Sequence, residues 1–337
     1  MKPLDLLTIP LSWCYALGVG VRHLLYDEHI LPSHSVDIPT ICVGNLAVGG
    51  TGKTPHVEYL LQLLSRHYRV AVLSRGYKRA THGFVLADET STARTIGDEA
   101  MQIHSKFPSI PVAVCEDRVR GVRQLQKQIA GLQVVVLDDA YQHRAIRCGY
   151  YVLLTPYDQL YIDDHLLPWG RLRDLKVQSQ KANMVIVTKC PDNMQPIDQR
   201  VISNRLHLAT FQQVFFSHVR YGEISAQGRP LVVTGIAQNT YLMEHIRSLY
   251  PKAELMEFAD HHAFRPADIQ RIEERAKAFD FVLTTEKDYQ RFRLTSLPEH
   301  LGNRLQVIPI EVDWQDEADD FNHAILEYMR GALRKQQ

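Results

Sequence analysis

The chain has 337 residues, with 38 basic against 38 acidic side chains and a formal net charge of zero. Apolar residues make up 45% and charged residues 23%. That balance excludes a disordered chain, a collagen-like rod and a coiled coil, and the length suggests about two packed domains. Neutrality argues against bulk nucleic-acid binding, which normally shows a basic surplus, but leaves room for a local basic patch facing an anionic substrate or membrane.

In chain order, the first feature is an uncharged run from Leu6 to Val21, LLTIPLSWCYALGVGV. It is short for a membrane span, and Pro10, Gly18 and Gly20 weaken it as a helix. Asp5 follows Lys2, and no A-x-A cleavage site appears, which argues against a secretory signal. Two readings stay open: an apolar arm with Trp13 and Tyr15 lying in a membrane interface, or a first helix tucked onto the protein's own core.

Beyond it, short apolar runs alternate with amphipathic stretches. Strands are expected at 41–44, 69–74, 111–115, 134–139, 150–156 and 184–189, and helices at about 53–66, 97–107 and 117–130. The strand runs are near-continuous rather than alternating, VVVLDD (134–139) most of all. That pattern fits a parallel sheet covered by helices on both faces. Residues 211–229 are rich in turn formers and read as a link. The pattern then restarts: strands at 231–237, 253–258, 281–288 and 305–312, and helices at about 239–249, 266–278 and 316–334. The expected organisation is an apolar arm (1–27), a large core (28–215), a linker (216–229) and a smaller α/β domain (230–337) whose last helix packs back on the core. Five scattered cysteines (Cys14, Cys42, Cys115, Cys148, Cys190) form no C-x-x-C pair, so neither a disulfide framework nor a zinc site is expected, and the cytoplasm is the simplest compartment.

GNLAVGGTGKTP (44–55) carries the most chemistry. It follows an expected strand and opens an expected helix, the context a phosphate loop requires. Gly49, Gly50, Thr51 and Gly52 allow a tight backbone whose N–H groups point at phosphate oxygens, at the positive end of a helix. Lys53 would reach the β- and γ-phosphates, and Thr54 would ligate Mg²⁺. One departure stands out: Ala47 occupies the place of the first glycine in G-x-x-x-x-G-K-T. The acidic strand end supplies a second part of such a site, with Asp138 as first and Asp139 as second candidate for the metal. Thr188-Lys189-Cys190-Pro191-Asp192 and Thr285-Glu286-Lys287-Asp288 fit a guanine-reading loop poorly, which favours ATP.

GNLAVGGTGKTP, SRGYKR (74–79), GDEA (97–100), LDDAYQHR (137–144), LLPWGRLRD (166–174), FADHHAF (258–264) and TTEKD (284–288) together resemble the ordered motifs of the tetraacyldisaccharide 4'-kinase family, the lipid A 4'-kinases. The resemblance implies a P-loop NTPase-like core using ATP and Mg²⁺. The implied reaction phosphorylates the 4'-hydroxyl of an acylated glucosamine disaccharide 1-phosphate lipid, at the cytoplasmic face of the inner membrane, with the N-terminal segment docking peripherally. It implies no nucleic acid and no obligate protein partner. Asp98 resembles the family's catalytic carboxylate and His261 the imidazole that pairs with it across the two domains, with His262 as an adjacent alternative. Gln142 resembles a residue near the metal. His143, Arg144, Arg173, Arg75, Arg79 and Arg118 are candidates for contact with the substrate or a phosphate. Asp174 and Leu175 stand where the family usually has Glu and Pro, which makes a direct metal role for Asp174 doubtful.

A rival of another class is a partitioning-type ATPase switch, whose K-G-G-x-G-K-T loop is close to this one. It needs a lysine where this chain has Val48. A GTP-binding metal-insertion factor would bring Cys/His clusters that this sequence lacks.

Overall fold

The computed structural model describes residues 5–236, 239–260, 262–295 and 297–335. Its eleven described helices are α1 (Asp5–Asp27), α2 (Lys53–Ser65), α3 (Ala93–Ile96), α4 (Asp98–Lys106), α5 (Arg118–Gln128), α6 (Pro196–Arg205), α7 (Thr240–Leu249), α8 (Pro266–Ala276), α9 (Glu286–Phe292), α10 (Glu299–Gly302) and α11 (Ala318–Arg334). The larger sheet takes, from edge to edge, β10 (Gln213–Phe216), β9 (Met184–Thr188), β8 (Tyr150–Pro156), β2 (Thr40–Asn45), β6 (Val134–Asp138), β3 (Val70–Ser74), β5 (Val112–Val114) and β4 (Val85–Leu86). All its pairings are parallel except β4 with β5.

Alternate side chains of these strands enter two separate cores. Ile41, Val43, Val70, Val72, Val134 and Val136 pack under α2, α4 and α11. Cys42, Ala71, Leu73, Val135 and Leu137 pack under α5 and α6. A strand buried on both faces has no use for alternation, which is why VVVLD reads as an unbroken apolar run. The doubly covered parallel sheet is therefore the α/β class that the sequence predicts.

A second sheet takes the order β13 (Glu254–Glu257), β12 (Pro230–Thr234), β14 (Phe281–Thr285), β15 (Leu305–Ile308), all parallel. Helices α8 and α9 cover one face and α7 the other. Residues 211–229, read from sequence only as a link, carry two strands. β10 is the edge of the large sheet, and β11 (His218–Tyr221) pairs antiparallel with β16 (Ile310–Asp313). A two-residue parallel pair, β1 (His34–Ser35) with β7 (Ile146–Arg147), completes the described strands. The amphipathic α11 returns to the large sheet and buries Phe321, Ile325 and Met329 there, beside Trp314.

The N-terminal segment is one continuous helix through Pro10, Gly18 and Gly20. The tertiary contacts override the weak propensity. Ser12 donates to the carbonyl of Leu166 (2.8 Å), Tyr15 to that of Arg173 (3.0 Å) and Arg22 to that of Gln142 (2.9 Å). His23 Nε2 donates to Asp174 Oδ1 at 2.5 Å, while its Nδ1 accepts from Arg144. The helix thus turns its polar residues inward and leaves Leu11, Trp13, Leu17, Val21 and Leu24 exposed, Trp13 and Leu17 each at 70%. Among the described residues no helix is long and apolar enough to cross a membrane.

Candidate active site

The glycine-rich loop leaves the C-terminal end of β2 and enters α2, as the spacing predicts. Gly49 (φ 111°) and Gly52 (φ 85°) sit in the left-handed region that favours glycine. Ala47, the departure from the usual pattern, needs no such freedom. It forms an antiparallel bridge with Leu172. On either side Val48 N–H donates to the Arg171 carbonyl and Arg173 N–H to that of Leu46, both at 2.8 Å. The LLPWGRLRD segment therefore braces the loop like an added strand. No acidic side chain lies in the first turn of α2, so its positive end is left for an anion.

Asn45, missed from sequence, is the hub of the loop. It is fully buried; its amide donates to the Ala47 carbonyl (2.7 Å) and to Thr51 Oγ1 (2.9 Å), and its Oδ1 accepts from Lys53 (3.4 Å) and Arg173 (2.6 Å). Thr188, at the end of β9, donates to the Thr51 carbonyl at 2.9 Å. Buried His56 links the Gly52 carbonyl to Ser217, and burial pushes its imidazole down to about 4. Only the strand-end position of Asn45, just before the loop, hinted at its part.

Lys53 lies on the tips of the strands, 3.8 Å from Asp139. Asp139 adopts φ 48°. Burial alone would raise its carboxyl, but Lys53 and Arg173 outweigh it and hold the group well below the usual range. Asp138 has the opposite setting. It is 1% exposed and accepts from Ser74 Oγ at 3.2 Å, while its Oδ1 has no hydrogen-bond partner. Burial first, then the nearby Glu99 and Asp139, push it up to about 7. An acid raised in the folded state costs stability once the unfolded chain ionises. The cost grows from about pH 4 and levels off above about pH 7. Asp138→Asn is therefore expected to stabilise the metal-free protein by on the order of 2–4 kcal/mol at pH 8 and by almost nothing at pH 4. Denaturant unfolding at the two pH values reads this; equal effects at both would refute it.

Several sequence candidates also have partners within the fold. Arg79 is held by Glu116, at 2.6 Å, and by the Gly83 carbonyl. Arg118 is buried and donates to the carbonyls of Cys115 and Asp139. Arg144 ties Asp27 and His23 to the core. All three thus also serve the fold, closing a loop or docking α1. Gln142 gives its amide nitrogen to the Asn45 carbonyl at 2.6 Å, which ties it to the strand end that precedes the loop. Arg173 is engaged with Asp139 (3.1 Å) and Asn45. Asp174 is buried against His23 through Oδ1 and so seats α1, while its Oδ2 has no hydrogen-bond partner. Arg75 is exposed, without a side-chain partner among the described residues, just after Ser74. His143 is half-buried; burial and Arg118 push it down to about 4, leaving it neutral at pH 7. It lines a cavity of about 520 Å³ with Arg120, Arg123 and Lys127. A larger cavity, about 1060 Å³, lies at the opposite ends of the strands beside α11 and holds none of these groups.

Asp98 opens α4 directly after Gly97, whose φ of 89° favours glycine and where a Cβ would press on the Tyr77 carbonyl at 3.1 Å. Asp98 is buried and accepts from its neighbour's N–H, Glu99, at 3.0 Å. Arg291 of α9 meets it from the second sheet, Nε to Oδ2 at 3.0 Å. The run 281–288, read from sequence as a strand, ends at Thr285, which caps α9 by accepting from Asp288 N–H. α9 then sends Lys287 to Glu99 (3.0 Å), and Glu286 shares Lys106 with Glu58. His261 lies outside the described residues. Its neighbour His262 is committed elsewhere: it pairs with Asp268 at 2.9 Å and packs against Phe258 and Phe264.

The sequence family described as tetraacyldisaccharide-1-P 4'-kinase (LpxK) matches residues 4–330. This chain belongs to that family. A tetraacyldisaccharide 4'-kinase of Bacteroides thetaiotaomicron is 44% identical, covering 96% of this chain and 93% of the relative. One from Flavobacterium johnsoniae is 42% identical over 99% of both chains. Among solved structures, LpxK from Aquifex aeolicus, an "apo" form in complex with ATP, superposes with a TM-score of 0.72 at 24% identity, covering 95% of this chain and 98% of that one. That likeness supports the P-loop kinase fold. Family membership sets aside the partitioning-type switch.

Proposed function

We propose that this chain transfers the γ-phosphoryl group of ATP to the 4'-hydroxyl of an acylated glucosamine disaccharide 1-phosphate in lipid A biosynthesis. The observation that carries the reading is the joining of a phosphate loop, a lysine resting on a carboxylate, and a buried unpartnered carboxylate oxygen in a member of this family. The backbone of Gly49, Gly50, Thr51 and Gly52 cradles the phosphates at the start of α2. Lys53 exchanges Asp139 and Asn45 for the β- and γ-phosphates. The oxygens of Thr54 and Asp138, with Asp139 beside them, are the hard donors a Mg²⁺ ion takes, and the orphaned Asp138 Oδ1 fits such an ion. When bound, Mg²⁺ offsets phosphate charge. Asp98 accepts the proton of the attacking hydroxyl as the new O–P bond forms and ADP leaves; His261 is its proposed partner. Arg75 and His143, together with Arg79, Arg118, Arg144 and Arg173, are the proposed contacts for the substrate or a phosphate.

The lipid substrate and α1 belong together in this reading. An outward stripe of Leu11, Trp13, Leu17, Val21 and Leu24 on a helix anchored by polar contacts fits peripheral docking at the cytoplasmic face of the inner membrane. Trp13→Glu with Leu17→Glu is expected to reduce co-sedimentation with phospholipid vesicles about tenfold or more, with ATP binding unchanged. Unchanged vesicle binding would remove α1 as the docking element. The whole reading is tested by ³²P transfer from ATP to the tetraacyl disaccharide 1-phosphate. A folded protein that binds ATP yet labels no lipid would sink it.

A further inference from the structure

Arg291 is buried, belongs to the smaller sheet's α9, and yet makes its closest contacts with the large sheet's Asp98. Four hydrogen bonds hold its fork. Nε and Nη2 both donate to Asp98 Oδ2, and Nη1 donates to Asp288 Oδ1 (2.7 Å) and to the Gly235 carbonyl (3.1 Å). Asp288 is fully buried, and its Oδ2 accepts from Thr234 Oγ1 (2.7 Å), Thr285 Oγ1 (2.8 Å) and Gly235 N–H (3.0 Å). The ends of β12 and β14 thus fix Asp288, Asp288 fixes Arg291, and Arg291 grips one oxygen of Asp98.

We propose that Arg291 is a positioning residue for phosphoryl transfer: anchored by Asp288, it orients the Asp98 carboxylate and carries the smaller domain's placement to the reacting hydroxyl. This rests on the reading of Asp98 as base. A buried carboxylate without a cation would rotate and would resist ionisation, whereas Arg291 on Oδ2 and Glu99 N–H on Oδ1 together fix the plane of the group. Lysine cannot replace the fork, because one ammonium does not span Asp98, Asp288 and the Gly235 carbonyl together. Facing Asp98 are Arg291 and Lys287 from α9, with Asp288 behind Arg291, and Glu99 from its own helix.

The test compares Arg291→Lys, Arg291→Ala and Asp98→Asn in the full-length protein, by lipid phosphorylation from pH 5.5 to 9 and by binding of an ATP analogue. Both Arg291 variants are expected to lower kcat about 10–100-fold, with KM for ATP within about twofold. The acid limb of kcat should move to higher pH, more for alanine than for lysine. Guanidinium in solution should restore part of the activity of Arg291→Ala and none of Asp98→Asn. Full activity of Arg291→Lys and Arg291→Ala beside an inactive Asp98→Asn overturns this proposal alone. So does a loss with an unmoved acid limb and no guanidinium rescue. An active Asp98→Asn overturns the base assignment and this proposal with it. If Arg291→Ala does not fold, Arg291→Lys, which keeps the charge, decides by its kcat and acid limb.

Discussion

Lys53→Met is expected to lower turnover about 10²–10³-fold, the scale on which a positioned charge acts on a phosphoryl group in flight. Methionine keeps much of the stem and its packing but removes the ammonium. The protein should still fold, because Lys53 is held at long range, 3.8 Å from Asp139 and 3.4 Å from Asn45, while Arg173 grips both of those residues more closely. That weak hold is itself informative. A lysine with a strong structural partner would have to break it to reach a phosphate; this one exchanges two loose contacts. Lys53→Arg should not rescue activity, since the planar fork is too broad for a loop shaped around Gly49 and Gly52. Initial rates at saturating ATP and lipid, with unfolding curves alongside, provide the check. Turnover within threefold of the parent would mean that Lys53 does not act in transfer.

The sequence made the large sheet legible because its strands are buried on both faces. Continuous apolar runs at 70–74, 134–138 and 184–188 have few other solutions in a chain that alternates them with amphipathic helices. The phosphate loop was legible because its glycines and GKT triplet are local. What stayed hidden depends on partners distant in sequence. For Arg79, Arg118 and Arg144, read as candidates for contact with the substrate or a phosphate, a basic residue in a motif carries no sign of which protein groups it also meets. Glu116, the carbonyls of Cys115 and Asp139, and Asp27 claim them in the fold. Asp174 shows the same effect: its buried pair with His23, 151 residues earlier, has no local sign in the sequence. Arg291 was missed although it lies one helical turn past TTEKD. An i, i+3 spacing from Asp288 marked it as that residue's neighbour, but nothing local pointed to Asp98. The first helix was misjudged as weak because Pro10 and two glycines lower propensity, while its polar contacts to residues 142–174 are invisible in a local window.

Asp98→Asn is the change expected to do most harm at the reacting atoms. The amide keeps the size of the carboxylate and an oxygen that can still accept from Glu99 N–H or Arg291, but it cannot take a proton from a hydroxyl. Loss of a positioned base predicts a fall in kcat of about 10²–10⁴-fold with little change in KM for ATP, because the Glu99 and Arg291 groups that hold Asp98 lie outside the phosphate loop. The effect on stability should be smaller than for an isolated buried pair. Removing one partner of such a pair costs about 3–5 kcal/mol when it strands the other charge. Here Arg291 keeps Asp288 at 2.7 Å, so the guanidinium stays neutralised and the loss should stay near 1–2 kcal/mol. Three measurements separate the roles: kcat for lipid phosphorylation, the affinity for an ATP analogue, and the unfolding free energy. Large kinetic loss with intact nucleotide binding and a modest stability change identifies the base. Parallel loss of all three would instead make Asp98 a structural tie between the two sheets, with the proton going to another acceptor.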